Sequence, residues 1–226
     1  EKFLAASDIP FSELSTILVV DSEEDDLKEI LRQIESILKE NERFFVKDII
    51  DSRLVILSSI MVSQKDDGII ASEIEKCINE HEGASFFLDT GKNLTSMRKI
   101  YSAFCANSAA MSKIFIHRKY RDMYDVIFSQ EIINLAINRG NRNEHIKSII
   151  EALKDDSDNL METLAVYLID CDSQLNNTAS TLFLHRNTVT YRLNKIKQIT
   201  NTDFTLMPAA YDFYLAAALW RLNEKS

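Results

Sequence analysis

The sequence predicts an α+β protein in two parts, a sheet-containing α/β half followed by an all-helical half. Three observations predict it. The β-rich apolar runs TILVV (16–20), RFFVKDII (43–50), RLVIL (53–57) and SFFL (85–88) all fall before residue 90. Between and after them, apolar residues recur at three- and four-residue steps, the period of an amphipathic helix. From residue 114 onward that helical period continues and no comparable β-rich run returns.

The first elements follow directly. Residues 17–20 are a continuous apolar run suited to a buried strand, after which Leu27, Ile30, Leu31, Ile34, Ile37 and Leu38 mark one helix face. Ser22 with Asp25 reads as a capping box, and the acids of SEEDD (22–26) favour the positive end of the helix dipole. A strand ending in Asp21 before a helix also resembles the start of a phosphorylatable receiver domain, where paired carboxylates hold a hard cation. Two features exclude that reading. Ser58 stands where the phosphate acceptor would be, and only Asp51 and Ser52 separate the next two β-rich runs. A two-residue gap permits an antiparallel hairpin, whereas parallel strands need a crossover of about a dozen residues.

A helix around Ile70, Ile74, Cys77 and Ile78 follows the hairpin, then the strand SFFL, then a helix around Met97, Ile100, Tyr101, Phe104 and Cys105. The resulting βαββαβα order resembles the palm-like scaffold of GGDEF diguanylate cyclases. In those enzymes the signature hairpin carries glycines that let a nucleotide approach and acids that bind metal. Here it reads IIDSRL, without glycine or Glu-Phe, so the resemblance implies a degenerate, non-catalytic GGDEF-like domain.

Composition sets the limits around these elements. The chain has 226 residues, 46% hydrophobic and 27% charged, enough for two modest domains. No apolar run approaches a membrane span and no signal pattern opens the sequence, so a cytoplasmic protein without membrane contact is expected. Cys77, Cys105 and Cys171 lie far apart and fit no metal spacing; reduced thiols suit them. The four glycines, Gly68, Gly83, Gly91 and Gly140, are too dispersed for a phosphate-cradling loop. His81, His117, His145 and His185 are equally scattered, so no catalytic residue, metal or cofactor is expected.

In the second half, residues 114–138 and 146–153 carry helical periodicity, with RGNRNE (139–144) as the loop between them. KDDSDN (154–159) reads as a boundary. Asn159 and Glu162 then cap a helix whose Leu160, Leu164, Tyr167 and Leu168 share a face. Residues 173–202 contain Arg186, Arg192, Lys195 and Lys197 and no acid, a segment of +4 in a chain of −9. DNA affinity follows the local basic face and not the overall sum.

Thr178, Ala179 and Leu182 give a short helix with a small residue for close crossing, LHRN (184–187) a turn, and Val189, Leu193 and Ile196 the buried face of a second helix. At about 100° per residue, Asn187, Thr190, Tyr191, Asn194 and Lys195 point away from that face. Amides, hydroxyls and ammonium groups there match the edges of bases and the phosphates. The pattern is a helix-turn-helix with the second helix as reader. Lys197, toward the helix's far end, suits phosphate contact.

Residues 160–200, LMETLAVYLIDCDSQLNNTASTLFLHRNTVTYRLNKIKQIT, closely resemble the C-terminal helix-turn-helix of PucR/CdaR-type bacterial transcription regulators. That family also carries a degenerate GGDEF-like domain before this module. The resemblance implies a DNA-binding transcriptional regulator of catabolic or secondary-metabolic genes. Its partners would be double-stranded DNA, a second copy of the chain, and a small-molecule effector sensed by a domain before residue 1. Arg186, Asn187, Thr188 and Arg192 lie in the family motif. Arg192 lies angularly closer to the buried edge than Asn194, which favours a phosphate or an intramolecular acid over a base. The expected organisation is an extension over 1–15, the GGDEF-like domain over 16–116, a helical connector over 117–157 and the helix-turn-helix domain over 158–226. The rival readings are a divergent nucleotide cyclase, opposed by the hairpin, and a protein-interaction module, opposed by the acid-free basic helix.

Overall fold

A central strand must be apolar on both faces, and TILVV meets that condition. In the computed structural model, which describes residues 11–61, 65–138 and 140–224, β1 (Thr16–Asp21) is flanked by β3 (Arg53–Ser58) and β4 (Ser85–Thr90), both antiparallel to it. Val19 sits opposite Val55 on one side and Phe87 on the other. β2 (Phe45–Ile50) pairs with β3, and with β5 (Tyr120–Arg121) the five-stranded order is β2-β3-β1-β4-β5. The β2–β3 turn is closed by Asp51 and Ser52, both with positive φ (51° and 61°), the geometry that matches the twist of a two-residue hairpin.

One sheet face, with Leu18, Val20, Leu54, Ile56 and Phe86, packs against α1 (Glu24–Glu40) and α2 (Lys65–Asn79). The helices contribute Leu27, Ile30, Ile34 and Leu38 from α1 and Ile70, Ile74 and Ile78 from α2. On the other face, Phe87 meets Phe104 of α3 (Leu94–Ile114) with ring centroids 4.9 Å apart. Asp21 is engaged by Arg53 at 2.9 Å, and the Arg53 guanidinium also lies over Phe104.

Three local expectations need correction. α1 begins at Glu24 with Glu23 as N-cap and no side-chain cap bond, so the Ser22–Asp25 box is not formed; the Ser22 hydroxyl is buried without a partner. Asn159 does occupy the N-cap of α6 (Leu160–Ala165), but its φ of 52° directs its side chain away from any cap bond. Finally, the stretch read as continuous helix from residue 114 contains β5 (Tyr120–Arg121), parallel to β4, before α4 (Met123–Ile137). Two residues are too short to show alternation, and β5 is fixed by β4, whose Phe86 N–H donates to the Lys119 carbonyl at 2.8 Å.

The chain forms two compact units. One runs to Ala106 and takes in Arg118–Val126; the other comprises Asn107–His117 and the chain from Ile127 onward. The division passes through α3 and α4. A continuous helix that serves one core with Phe104 and another with Ile114 carries no polar break for a sequence to reveal.

The second unit is helical. α5 (Asn141–Leu153) and α6 pack against α9 (Ala209–Glu224), and α6 continues into a π-helical turn over Val166–Asp170. Phe204 stacks on Phe213 with centroids 5.2 Å apart, and Phe128 meets Tyr214 edge-on at 5.1 Å. Inside this core the Arg221 and Asp170 side chains, 2% and 1% exposed, form an ion pair, and the guanidinium also donates to the Ile114 carbonyl at 2.6 Å. Among the described residues, no helix is long and apolar enough to cross a membrane.

Candidate nucleic-acid interface

The candidate interface is built from α7 (Leu175–Thr181) and α8 (Arg186–Thr200). α7 stays short because its end is sealed. Phe183 takes a left-handed φ of 53°, and the Leu184 N–H donates back to the Ala179 carbonyl at 2.9 Å. Ala179 and Thr178 are buried where α7 meets α8, so the small side chain lets the two helices approach. The Phe183 ring is left 95% exposed at the turn.

α8 starts with a cap the sequence did not announce. His185 Nδ1 accepts the Asn187 N–H at 3.2 Å, satisfying one of the free donors of the first turn. Histidine is not among the usual capping residues, so residue type alone does not disclose this role. Val189, Leu193 and Ile196 are buried, each contributing about 1.5–3 kcal/mol through burial of its apolar surface, and they hold α8 in place.

The opposite face of α8 is exposed and polar. Asn187, Thr190, Tyr191 and Asn194 lie along it, with Tyr191 57% exposed. Gln198 extends the same stripe by one more turn; the residues expected from sequence end at Lys197, although the period of Asn187, Tyr191 and Asn194 leads to it. Thr190 also donates its hydroxyl to the Arg186 carbonyl at 3.1 Å. Arg186 is exposed at the helix start and Thr188 is half-buried there.

The other three cations do not stand free. Arg192 donates to the Thr163 hydroxyl of α6 at 3.0 Å, an intramolecular partner, but an alcohol where an acid was expected. Lys195, expected to project outward, is half-buried between Asp156 and Asp158, 2.8 and 2.7 Å from their carboxylates. Hydrogen bonding to Asp156 and then Asp158 raises the Lys195 pKa, and the same contact lowers that of Asp156. Lys197 lies 2.8 Å from Asp203 and 5.8 Å from the Phe204 ring centre. The Lys197 contact, followed by the Thr205 hydroxyl and N–H, lowers Asp203 to about 2. The expected +4 is thus largely neutralised on the spot, because the acids that precede and follow the basic segment fold back onto it.

Residues 160–219 match the family model of the PucR C-terminal helix-turn-helix domain. The chain is 27% identical over 162 residues to the DNA-binding transcriptional activator AdeR of Bacillus subtilis, an alignment covering 61% of this chain and 38% of that protein. It is 40% identical over 80 residues to the Purine catabolism regulatory protein of the same organism, covering 35% of this chain and 15% of the relative. The crystal structure of a regulator of polyketide synthase expression from Bifidobacterium adolescentis is 19% identical, with 94% of this chain and 82% of that one covered and a TM-score of 0.36. The chain spans less than two fifths of the length of the curated relatives it matches.

Proposed function

We propose that this chain, which carries a PucR-type C-terminal helix-turn-helix domain, is the DNA-binding part of a bacterial transcriptional regulator that works in the cytoplasm. The observation that carries the reading is the exposed stripe of Asn187, Thr190, Tyr191 and Asn194 on a helix held at a fixed turn from α7. Amides there pair with adenine in the major groove, and hydroxyls meet base edges or phosphates. Arg186 and Thr188, at the helix start, supply backbone contacts. Arg192 orients the helix through the Thr163 hydroxyl, and Lys197, paired with Asp203 at the far end, suits an added phosphate contact. The name of the purine regulator supports catabolic genes as targets.

The first unit serves as a non-catalytic scaffold of the GGDEF-like kind, with its hairpin closed by Asp51 and Ser52 instead of glycines. Purified protein is expected to form no cyclic dinucleotide from GTP. The regulator acts as a homodimer on two half-sites about one helical turn apart, and a small-molecule effector is sensed by a separate domain of the regulator.

Selection of bound sequences from random duplex DNA, with the full-length protein, tests the reading; recovery of no enriched motif would sink it. On the selected motif, Asn194→Ala should relax preference at one or two positions at a cost of about 1–3 kcal/mol, with binding to scrambled DNA little changed. Equal loss on both duplexes would remove Asn194 from base reading.

A further inference from the structure

Lys195 lies about 40° around α8 from Tyr191 and one turn further on. It therefore flanks the exposed stripe, where the backbone of a duplex would run beside a helix in the groove. Yet its ammonium is held by two carboxylates, Asp156 at 2.8 Å and Asp158 at 2.7 Å. One acid is enough to orient one lysine. Two leave the cluster with a net charge of −1, which repels a phosphate where a free lysine would attract it.

The acids are held in place by their own loop. Asp156 accepts the Asp158 N–H with its carboxylate at 2.9 Å and the Asn159 N–H with its backbone carbonyl at 3.1 Å. This loop, between α5 and α6, thus presents both carboxylates to a residue 39 and 37 positions further along the chain. Ion pairs that solvent still reaches add little stability, and the excess carboxylate of this one acts instead on the charge that a duplex meets.

We propose that Asp156 and Asp158 are specificity-determining positioning residues: by clamping Lys195 they keep a cation of the reading helix from DNA phosphates, which weakens binding to arbitrary sequence and leaves the neutral stripe to discriminate. Each lysine freed onto a phosphate would strengthen binding to every sequence alike, through release of condensed counterions. The clamp therefore raises the ratio of operator to non-operator binding without touching a base. This inference rests on α8 being the helix that enters the groove.

The test uses the full-length protein and a duplex of arbitrary sequence, with affinity measured over a salt series. Asp156→Asn with Asp158→Asn should bind more tightly at low salt and steepen the salt dependence by roughly one phosphate contact. The control, Asp155→Asn with Glu144→Gln, makes the same change in net charge at two exposed acids that do not touch Lys195. It should show less gain and no steeper slope. Adding Lys195→Gln to the double variant should abolish the gain, and Lys195→Gln alone should leave the slope as in the unaltered protein. A double variant that binds no better than its control overturns the inference, as does a loss of one contact in Lys195→Gln alone, a measurement that holds even if the double variant fails to fold. Binding by no protein at any salt would remove the functional reading and this inference together, an outcome distinct from binding without gain.

Discussion

Glu24 and Asp25 of SEEDD (22–26) and Asp156 and Asp158 of KDDSDN (154–159) sit in similar acidic runs and in opposite situations. The first group opens α1: Glu24 and Asp25, both solvated, pair with Lys28 of the same helix at 3.2 and 3.5 Å, and Asp26 reaches further, to His81 Nδ1 at 3.3 Å. The second group reaches across the fold to Lys195. Asp170 is the limiting case, a carboxylate inside the core paired with Arg221. What an acid does is set by its partner, and a partner far along the chain leaves no mark on the acid's own neighbourhood in sequence.

The largest effect should come from the buried pair. Arg221→Ala leaves Asp170 uncompensated and the Ile114 carbonyl without its donor, with an expected loss of about 3–5 kcal/mol in denaturant unfolding. A loss under about 1 kcal/mol would mean that water replaces the guanidinium, and the contrast with the surface acids would collapse.

An intermediate effect belongs to the clamped surface acids and depends on pH. Asp203 has a folded pKa of about 2, below the ordinary carboxylate value of about 4. Its contribution is therefore present in full above pH ~4 and disappears as pH falls through ~2. Thermal melts of the unaltered protein and Asp203→Asn should differ by a constant amount above pH ~4, with the gap closing toward pH ~2. A gap that widens on acidification would reverse the sign of the pairing.

The smallest effect is expected at the solvated run. Lys28→Ala should leave the unfolding midpoint where it is, because both of its partners are fully solvated. A clear shift there would erase the distinction between the two acidic groups.

The same rule explains what the sequence disclosed. The β2–β3 hairpin was legible because a two-residue gap is a purely local constraint, and the outward stripe of α8 because helical period is local too. β5 was not legible, since two residues have no period and depend on β4 for their pairing. Neither was the division of the chain inside α3, nor the Lys195 clamp. The exposed stripe was legible one turn further, to Gln198, from period alone. The His185 cap lay outside the usual residue preferences and needed the fold to disclose it.

The place of β2 at the end of the sheet order has a consequence for how the protein behaves in crowded solution. Its outer backbone groups form a template onto which another chain can add a strand. Phe45, Val46, Ile49 and Ile50 supply the apolar side chains such an addition would bury, and Ile49 and Ile50 are exposed. Lys47 and Asp48 interrupt that strip at its middle, and Lys47 is tied to Glu35 of α1. These two charged residues make the edge a poor seed for self-association, so a pair of side chains on one strand helps to keep the protein dispersed as its concentration rises.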